Sequence, residues 1–514
     1  MSNADASSGA DLAQGMELSE MPDEGVVGGH VGGEPVVLAR VDGELVAIGG
    51  GCSHYSGPLK DGLRVGATLR CPWHHACFDL RTGAALEAPA LAPVDRWKVE
   101  QRDGKVFVTE KVAAADAPKR STSGDPKAIV IVGGGAAGFA AAQRLRDLGY
   151  AGKLTLLSAD ALAPYDRPNL SKDYLAGEAD PAWMPLKDDA FYPDHQIELR
   201  LSTTVEKLDS AAKRLTLGDG TTLDCDALLL ATGAEPIRPK TPGFERDNVF
   251  VLRSQADSDA VIAAAAGART AAVIGASFIG LEAAAALRTR GLEVHVIAPE
   301  TVPLESKLGP ELGRFLQGLH ESHGVHFHLG RTAGGFDGKT LTLDDGATLA
   351  TDLVVLGVGV RPRLALAEAA GLAIDQGVVV DARFRTSAPG VFAAGDIARF
   401  ADPAGGAPIR VEHWVAAERQ GQIAAANMLG VDTPIDEPPF FWSAHYDVSI
   451  RYVGHAEHWD RTQVDGDIDA QDATVRYFSG GALLAAATVG RDLEALRIGQ
   501  ALREANHLRL ASDR

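Results

Sequence analysis

Two short segments carry the side chains best suited to hold a metal. Cys52-Ser53-His54 and Cys71-Pro72-Trp73-His74 are separated by 16 residues, and each offers one thiol and one imidazole from a tight loop. A [2Fe-2S] centre with two thiolates on one iron and two neutral imidazoles on the other needs this donor set, one of each from each loop. A single zinc ion accepts the same ligand types. The Cys-x-His pattern lacks zinc-finger spacing, however, and no finger helix follows it.

Two glycine-rich loops supply a second chemistry. The apolar strand Lys127-Ala-Ile-Val-Ile-Val132 runs into Gly133-Gly-Gly135-Ala-Ala-Gly138 and then an alanine-rich helix expected over 139–148. That strand, loop and helix context is what a bare glycine match lacks. The first glycine permits the turn, the second lets backbone approach a pyrophosphate, and the third lets helix pack on strand. A following strand, 154–157, ends at Ser158 where an acid for an adenosine ribose belongs, and Asp160 is the nearest carboxylate. The pattern recurs at Thr270-Ala-Ala-Val-Ile274, Gly275-Ala-Ser277-Phe-Ile-Gly280 and a helix expected over 281–290, with Ser277 in place of the middle glycine. Two such units imply two dinucleotides. After the next strand, 293–297, Glu300 and Glu305 follow without an adjacent arginine, which favours a 2′-hydroxyl over a 2′-phosphate, hence NADH over NADPH.

The positioning elements follow from turn chemistry and periodicity. Residues 35–40 and 44–48 flank Asp42-Gly43, and 99–108 repeats the device around Asp103-Gly104, so both read as β-hairpins of a small all-β domain that presents the metal loops at one tip. Residues 1–14 read as a disordered tail, 15–112 as the metal domain, and 113–126 as a small, polar, proline-containing linker. Near the other end, alternating apolar residues, a hairpin around Ser479-Gly-Gly481 and a helix from Asp492 indicate an α+β C-terminal domain, 431–514.

Composition narrows the class. The chain has 514 residues and a net charge of -20 from 49 basic and 69 acidic residues. Such a surface repels phosphate backbones and anionic lipids, so neither nucleic acid nor a membrane is an expected partner. The N-terminus lacks a basic start and an apolar core, and only 4 cysteines occur, so a cytoplasmic protein without a disulfide framework is expected.

Residues 51–83 resemble the cluster loops of Rieske ferredoxins. Further motifs, Pro164-Tyr-Asp-Arg-Pro-Asn-Leu-Ser-Lys172, Ala231-Thr-Gly-Ala-Glu-Pro236, Gly357-Val-Gly-Val-Arg-Pro362, Val391-Phe-Ala-Ala-Gly-Asp-Ile397 and Glu412-His-Trp414, appear in the order found in apoptosis-inducing-factor-like reductases and the ferredoxin reductases of oxygenase systems. The chain therefore resembles the Rieske-containing branch of that family. The resemblance implies an α/β protein of glutathione-reductase-like architecture: an FAD-binding domain (127–245 and 369–430), an NAD-binding domain (246–368), and a C-terminal domain that covers the flavin and forms a homodimer face. It also implies the site. Cys52, His54, Cys71 and His74 ligate the cluster; Gly133, Gly135, Gly138, Thr232, Gly233 and Asp396 hold FAD; Gly275, Ser277, Gly280, Glu300 and Gly359 hold NADH. Arg167 and Lys172 lie beside the flavin, Lys172 pairs with Glu282 near N5, and Trp414 and Trp442 approach the isoalloxazine and nicotinamide. Glu282, set in an apolar helix, needs a partner if buried.

Absences matter too. No cysteine lies between Gly133 and Gly177, so dithiol chemistry beside the flavin is excluded, and no room remains for a mononuclear-iron oxygenase domain. The expected function is an NADH-dependent FAD oxidoreductase passing electrons through a Rieske cluster to a redox partner. The alternatives are a flavin-dependent NADH oxidase or quinone reductase, and a redox-sensing protein.

High-potential Rieske proteins aim a serine and a tyrosine hydroxyl at the cluster sulfurs and brace the loops with a disulfide. This chain has Ala76, Phe78 and no spare cysteine pair in the loops. Fewer donors to sulfur favour the oxidised cluster. A redox titration should find a potential near the bottom of the Rieske range, about -150 mV; a value well above zero refutes this.

Overall fold

The computed structural model describes residues 9–112 and 124–512. The first eight residues of the expected tail, and 113–123 of the expected linker, lie outside the described residues.

Both Asp-Gly pairs make the turns expected of them. Asp42 and Gly43 (φ 50° and 85°) and Asp103 and Gly104 (φ 52° and 75°) all lie in the left-handed region, as two-residue hairpin turns require. They join Glu34–Val41 to Glu44–Gly49 and Arg96–Arg102 to Lys105–Val112 in a 7-stranded sheet. A 4-stranded antiparallel sheet, Leu63–Val65, Thr68–Arg70, Cys77–Asp79 and Ala85–Glu87, carries the second metal loop between its middle strands. The folded domain starts earlier than residue 15. Ala10 and Asp11 pair in parallel with Gly29 and His30, and Leu12 is fully buried. One apolar residue in a polar stretch gives no periodic signal, which is why this strand reads as tail.

The two glycine loops open two units of matching topology. In the first, the parallel sheet runs Ile197–Arg200, Lys153–Leu157, Ala128–Val132, Ala227–Leu230, Val391–Ala393; in the second, Val325–Leu329, Glu293–Ala298, Thr270–Ile274, Leu353–Leu356, Val249–Val251. The central strands are continuous apolar runs buried on both faces, as parallel sheets covered by helices demand. The helices after the loops span Ala136–Asp147 and Phe278–Thr289, starting three residues earlier than the periodicity indicated: Ala136 and Ala137 enter the first turn of one, and Phe278 and Ile279, behind the Ser277 cap, that of the other. A short antiparallel pair, Ala234–Pro236 with Val360–Pro362, stitches the exits of the two units together. Gly133 (φ 120°) is forced by packing: a Cβ there would overlap the Ala231 carbonyl oxygen.

The C-terminal domain is a 5-stranded antiparallel sheet in the order Phe440–His445, Val448–Gly454, Ala482–Val489, Asp472–Ser479, Arg461–Asp467, closed by the helix Asp492–Ser512. Among the described residues no helix is long and apolar enough to cross a membrane.

The N-terminal domain docks on both neighbours through a charge cluster. Arg70 meets Glu87 (2.8 Å) and Glu437 (3.3 Å), Arg419 meets Glu437 (2.7 Å), and Arg503 meets Glu87 (2.8 Å), Glu437 (2.7 Å) and Asp436 (3.3 Å). Three guanidiniums and three carboxylates thus balance in a largely buried seam. Arg419 also donates to the carbonyls of His75 (2.8 Å) and Ala88 (3.0 Å), while Gln422 accepts from the Ala88 amide (3.0 Å).

Buried ion pairs specify geometry more than they add stability, but removing one partner leaves stranded charge. Glu437→Gln should cost about 3 kcal/mol in urea unfolding; a loss within error would show the seam to be solvated. Burial sets a second expectation, since it pulls His413 and His445 down to about 3, with His455 and Lys307 near His413 and Lys172 near His445 adding to it. Below an unfolded value of about 6.5 only the unfolded chain takes up these protons, so stability is full above that pH and falls as the solution is acidified. Between about pH 7 and 5 the two residues together should remove roughly 4 kcal/mol, read from urea midpoints at the two pH values; equal midpoints overturn it.

Candidate functional site

The two metal loops have one backbone design. Cys52 N–H donates to Gly57 O (2.9 Å) and Ser56 N–H returns to Cys52 O (2.8 Å); Cys71 N–H donates to Ala76 O (2.8 Å) and His75 N–H returns to Cys71 O (3.1 Å). Ser56 (φ 57°) and His75 (φ 63°), each four residues after its cysteine, take the left-handed conformation that closes the turn. Gly57 has no choice of residue, because a Cβ would stand 2.8 Å from the Cys71 sulfur.

The loops bring their donors together in pairs. His54 Nδ1 and His74 Nδ1 face each other at 3.2 Å. Burial holds His54 neutral, down to about 4, and His74 well below its ordinary value, so both present lone pairs. The Cys71 thiol is pulled down by its contact with Cys52, and by the amides of Trp73 and His74 against the opposing effect of burial, while the same contact pushes Cys52 up. Among the described residues no three His, Cys, Asp or Glu side chains converge on a single-ion site. Two thiols in contact and two imidazoles in contact fit a two-iron cluster better than one zinc ion. Cys77 packs as a buried free thiol in the adjoining strand, and all four cysteines are free.

On the flavin side, the helix Ala136–Asp147 begins at Gly135 with no side-chain cap, so its first amides are open to a phosphate. Arg167 leans over this turn, with its guanidinium 3.3 Å from where a Gly135 Cβ would be. Asp396 accepts from Arg253 (2.6 Å), and Gly233 lies against this pair. Thr232 Oγ donates to Arg363 O at 3.1 Å. In the second unit Ser277 is not a weakened glycine. Its Oγ accepts from Gly280 N–H (3.1 Å) and donates to Gly357 O (2.7 Å), capping the helix. Gly275 (φ 104°) and Gly359 (φ 97°) are left-handed.

Asp160 accepts one hydrogen bond on each oxygen, from Tyr165 O–H (2.7 Å) and Leu162 N–H (3.2 Å). Glu300 is exposed, two residues beyond the strand Glu293–Ala298. Trp414 is the first residue of the helix Trp414–Met428.

Lys172 and Glu282 do meet, at 2.8 Å, with Glu282 only 4% exposed. Two partners were not foreseen: Ser171 and Ser443 each donate to the Glu282 carboxylate at 2.6 Å. Trp442, next to Ser443, lies with its ring 5.9 Å from Lys172 Nζ and 4.1 Å from the His74 ring. Arg451 donates to Trp73 O at 3.2 Å, and Tyr55 O–H donates to Asp166. The metal loops and the Lys172–Glu282 site are therefore neighbours within one chain.

Comparison with known proteins agrees with this geometry. Residues 13–98 match the Rieske [2Fe-2S] domain, 127–421 the pyridine nucleotide-disulphide oxidoreductases, and 440–512 the reductase C-terminal domain. Human apoptosis-inducing factor 3 is 31% identical over 501 residues, covering 92% of this chain and 82% of that protein. The ferredoxin–NAD(+) reductase component of the anthranilate 1,2-dioxygenase system from Burkholderia cepacia is 38% identical, covering 73% and 94%. The crystal structure of a covalent putidaredoxin reductase–putidaredoxin complex superposes with a TM-score of 0.72 at 32% identity, covering 74% of this chain and 94% of that one. The chain belongs to the pyridine nucleotide-disulphide oxidoreductase family, as an apoptosis-inducing-factor-like, FAD-dependent NAD(P)H oxidoreductase of the ferredoxin reductase type with an N-terminal Rieske domain, and it passes electrons from NADH through FAD to iron-sulfur.

Proposed function

We propose that flavin and cluster exchange electrons within one chain, through Trp442, and that the cluster then serves a separate protein carrier. FAD, when bound, accepts a hydride from NADH and yields its electrons singly to a one-electron cluster. The residues of this chain bind, orient and shield. Gly133, Gly135 and Gly138 with the open helix end, and Thr232, Gly233 and Asp396, hold the flavin nucleotide; Gly275, Ser277, Gly280, Gly359 and Glu300 line the NADH side. Glu282 and its two serines fix the Lys172 ammonium in place. Cys52 and Cys71 would hold one iron, and neutral His54 and His74 the other.

The observation that carries this reading is the Trp442 indole, which lies against the His74 ring and 5.9 Å from the Lys172 ammonium. Ferredoxin and rubredoxin reductases among the relatives support a protein acceptor. Cys77 and Cys225, the two cysteines outside the ligand set, stay as buried thiols, which favours a reducing compartment, the cytoplasm.

Anaerobic mixing with NADH should bleach flavin and then cluster, with a second phase whose rate does not change with protein concentration. Trp442→Ala should slow that phase about tenfold, equivalent to about 1.4 kcal/mol on the barrier. A phase that accelerates with concentration overturns the intrachain route.

A further inference from the structure

Behind the Lys172–Glu282 pair the hydrogen bonds do not stop. Ser443 and His445, two apart on the strand Phe440–His445, point to the same face. Ser443 Oγ donates to Glu282 (2.6 Å) and lies 3.1 Å from His445 Nε2. His445 Nδ1 lies 3.2 Å from Nε2 of His320, on the last turn of the helix Glu305–Ser322. Ser443, His445 and His320 are fully buried.

The protons in this chain have one consistent arrangement. Because the serine hydrogen is committed to Glu282, Ser443 must accept from His445 Nε2–H. His445 Nδ1 is then bare and accepts from His320 Nε2–H. That leaves His320 Nδ1 bare, and this atom has no protein partner, as is also true of the Tyr446 hydroxyl. Tyr446 contacts the His320 ring on one side (5.2 Å) and stacks on the exposed His323 on the other (3.6 Å). Buried orphans of this kind take water, so the line continues towards solvent at His323.

We infer that Ser443, His445 and His320 form a proton relay between the Lys172–Glu282 pair and the surface at His323. The need for one follows from stoichiometry. Each NADH becomes NAD+ with loss of two electrons and one proton; the electrons go to two one-electron acceptors, and the proton must reach water from a buried site. Outward transfer starts from the mirror arrangement, with a hydrogen on Nδ1 of each ring and Nε2 bare: a proton leaving Glu282 passes to Ser443, whose own hydrogen moves to His445 Nε2, the His445 Nδ1 hydrogen moves to His320 Nε2, and the His320 Nδ1 hydrogen leaves to water. Departure of that proton leaves the first arrangement, with Nε2 of each ring protonated, and exchange of tautomers in both rings readies the relay again. The charged and titratable groups facing the relay are Lys172 and Glu282 at the inner end and His323, Tyr446 and Arg288 at the outer end, where Arg288 donates to the His323 carbonyl (2.9 Å). Burial keeps both relay imidazoles neutral, as exchange of tautomers requires. The inference rests on the reading of Lys172–Glu282 as the flavin-side pair.

The test uses the holoprotein mixed anaerobically with NADH in weak buffer containing a pH dye, with flavin, cluster and dye absorbance followed together. His445→Gln and His320→Gln should delay proton appearance about tenfold or more behind the electrons, and added imidazole should restore the timing in His320→Gly. Proton and electron signals that stay in step in both glutamine variants overturn the relay while leaving the electron route standing. If either variant loses FAD, 15N-histidine NMR of the unmodified protein decides: neutral His445 and His320, each protonated on Nε2 near neutral pH, support the relay, and the opposite tautomers or charged rings overturn it. Failure of NADH to bleach the wild-type flavin would refute the electron route instead, and the tautomers would still judge the relay.

Discussion

A carboxylate taken out of water must be matched on every oxygen or the fold loses several kcal/mol, and Glu282 is matched by three different parts of the chain. Its own helix belongs to the second dinucleotide unit, Lys172 and Ser171 come from the first, and Ser443 from the C-terminal sheet. Satisfying this one group fixes the three bodies against each other. It also places the residue beside Ser443, so the Trp442 ring is carried to the His74 ring.

The docking seam completes that placement from the other side. Arg70 and Glu87 leave the N-terminal domain to meet Glu437, Arg503 and Arg419, while Arg451 and Arg419 reach the loop carbonyls of Trp73 and His75. These bonds grip backbone within the metal loop itself. An arginine holding a carbonyl next to a ligand restrains where the ligand points, so the seam orients donors as well as joining domains.

What could be read in the sequence was local. The two metal segments, the glycine loops and the Asp-Gly hairpins each lie within a few consecutive residues whose spacing states their conformation. Glu282 announced itself as a charge in an apolar helix, and the motif around Lys172 supplied its partner by resemblance. Ser171, Ser443, His445 and His320 stayed hidden, because each of the four meets a partner more than 100 residues away and serines and histidines carry no periodic signal. Ser277 was legible in principle: a serine immediately before an apolar helix is a cap first and a failed glycine second.

The same burial that protects the cluster donors constrains how electrons leave. His74 is covered by Trp442, and His54 stacks on Tyr55, whose hydroxyl is tied to Asp166. The imidazole edge thus faces the chain's own flavin side. Ser53 and Ser56 of the first metal loop are exposed, and on the proposed intrachain route a partner protein approaches the cluster there. On that route one chain separates entry from exit: the aromatic face serves the internal donor, and the acceptor is left the exposed loop.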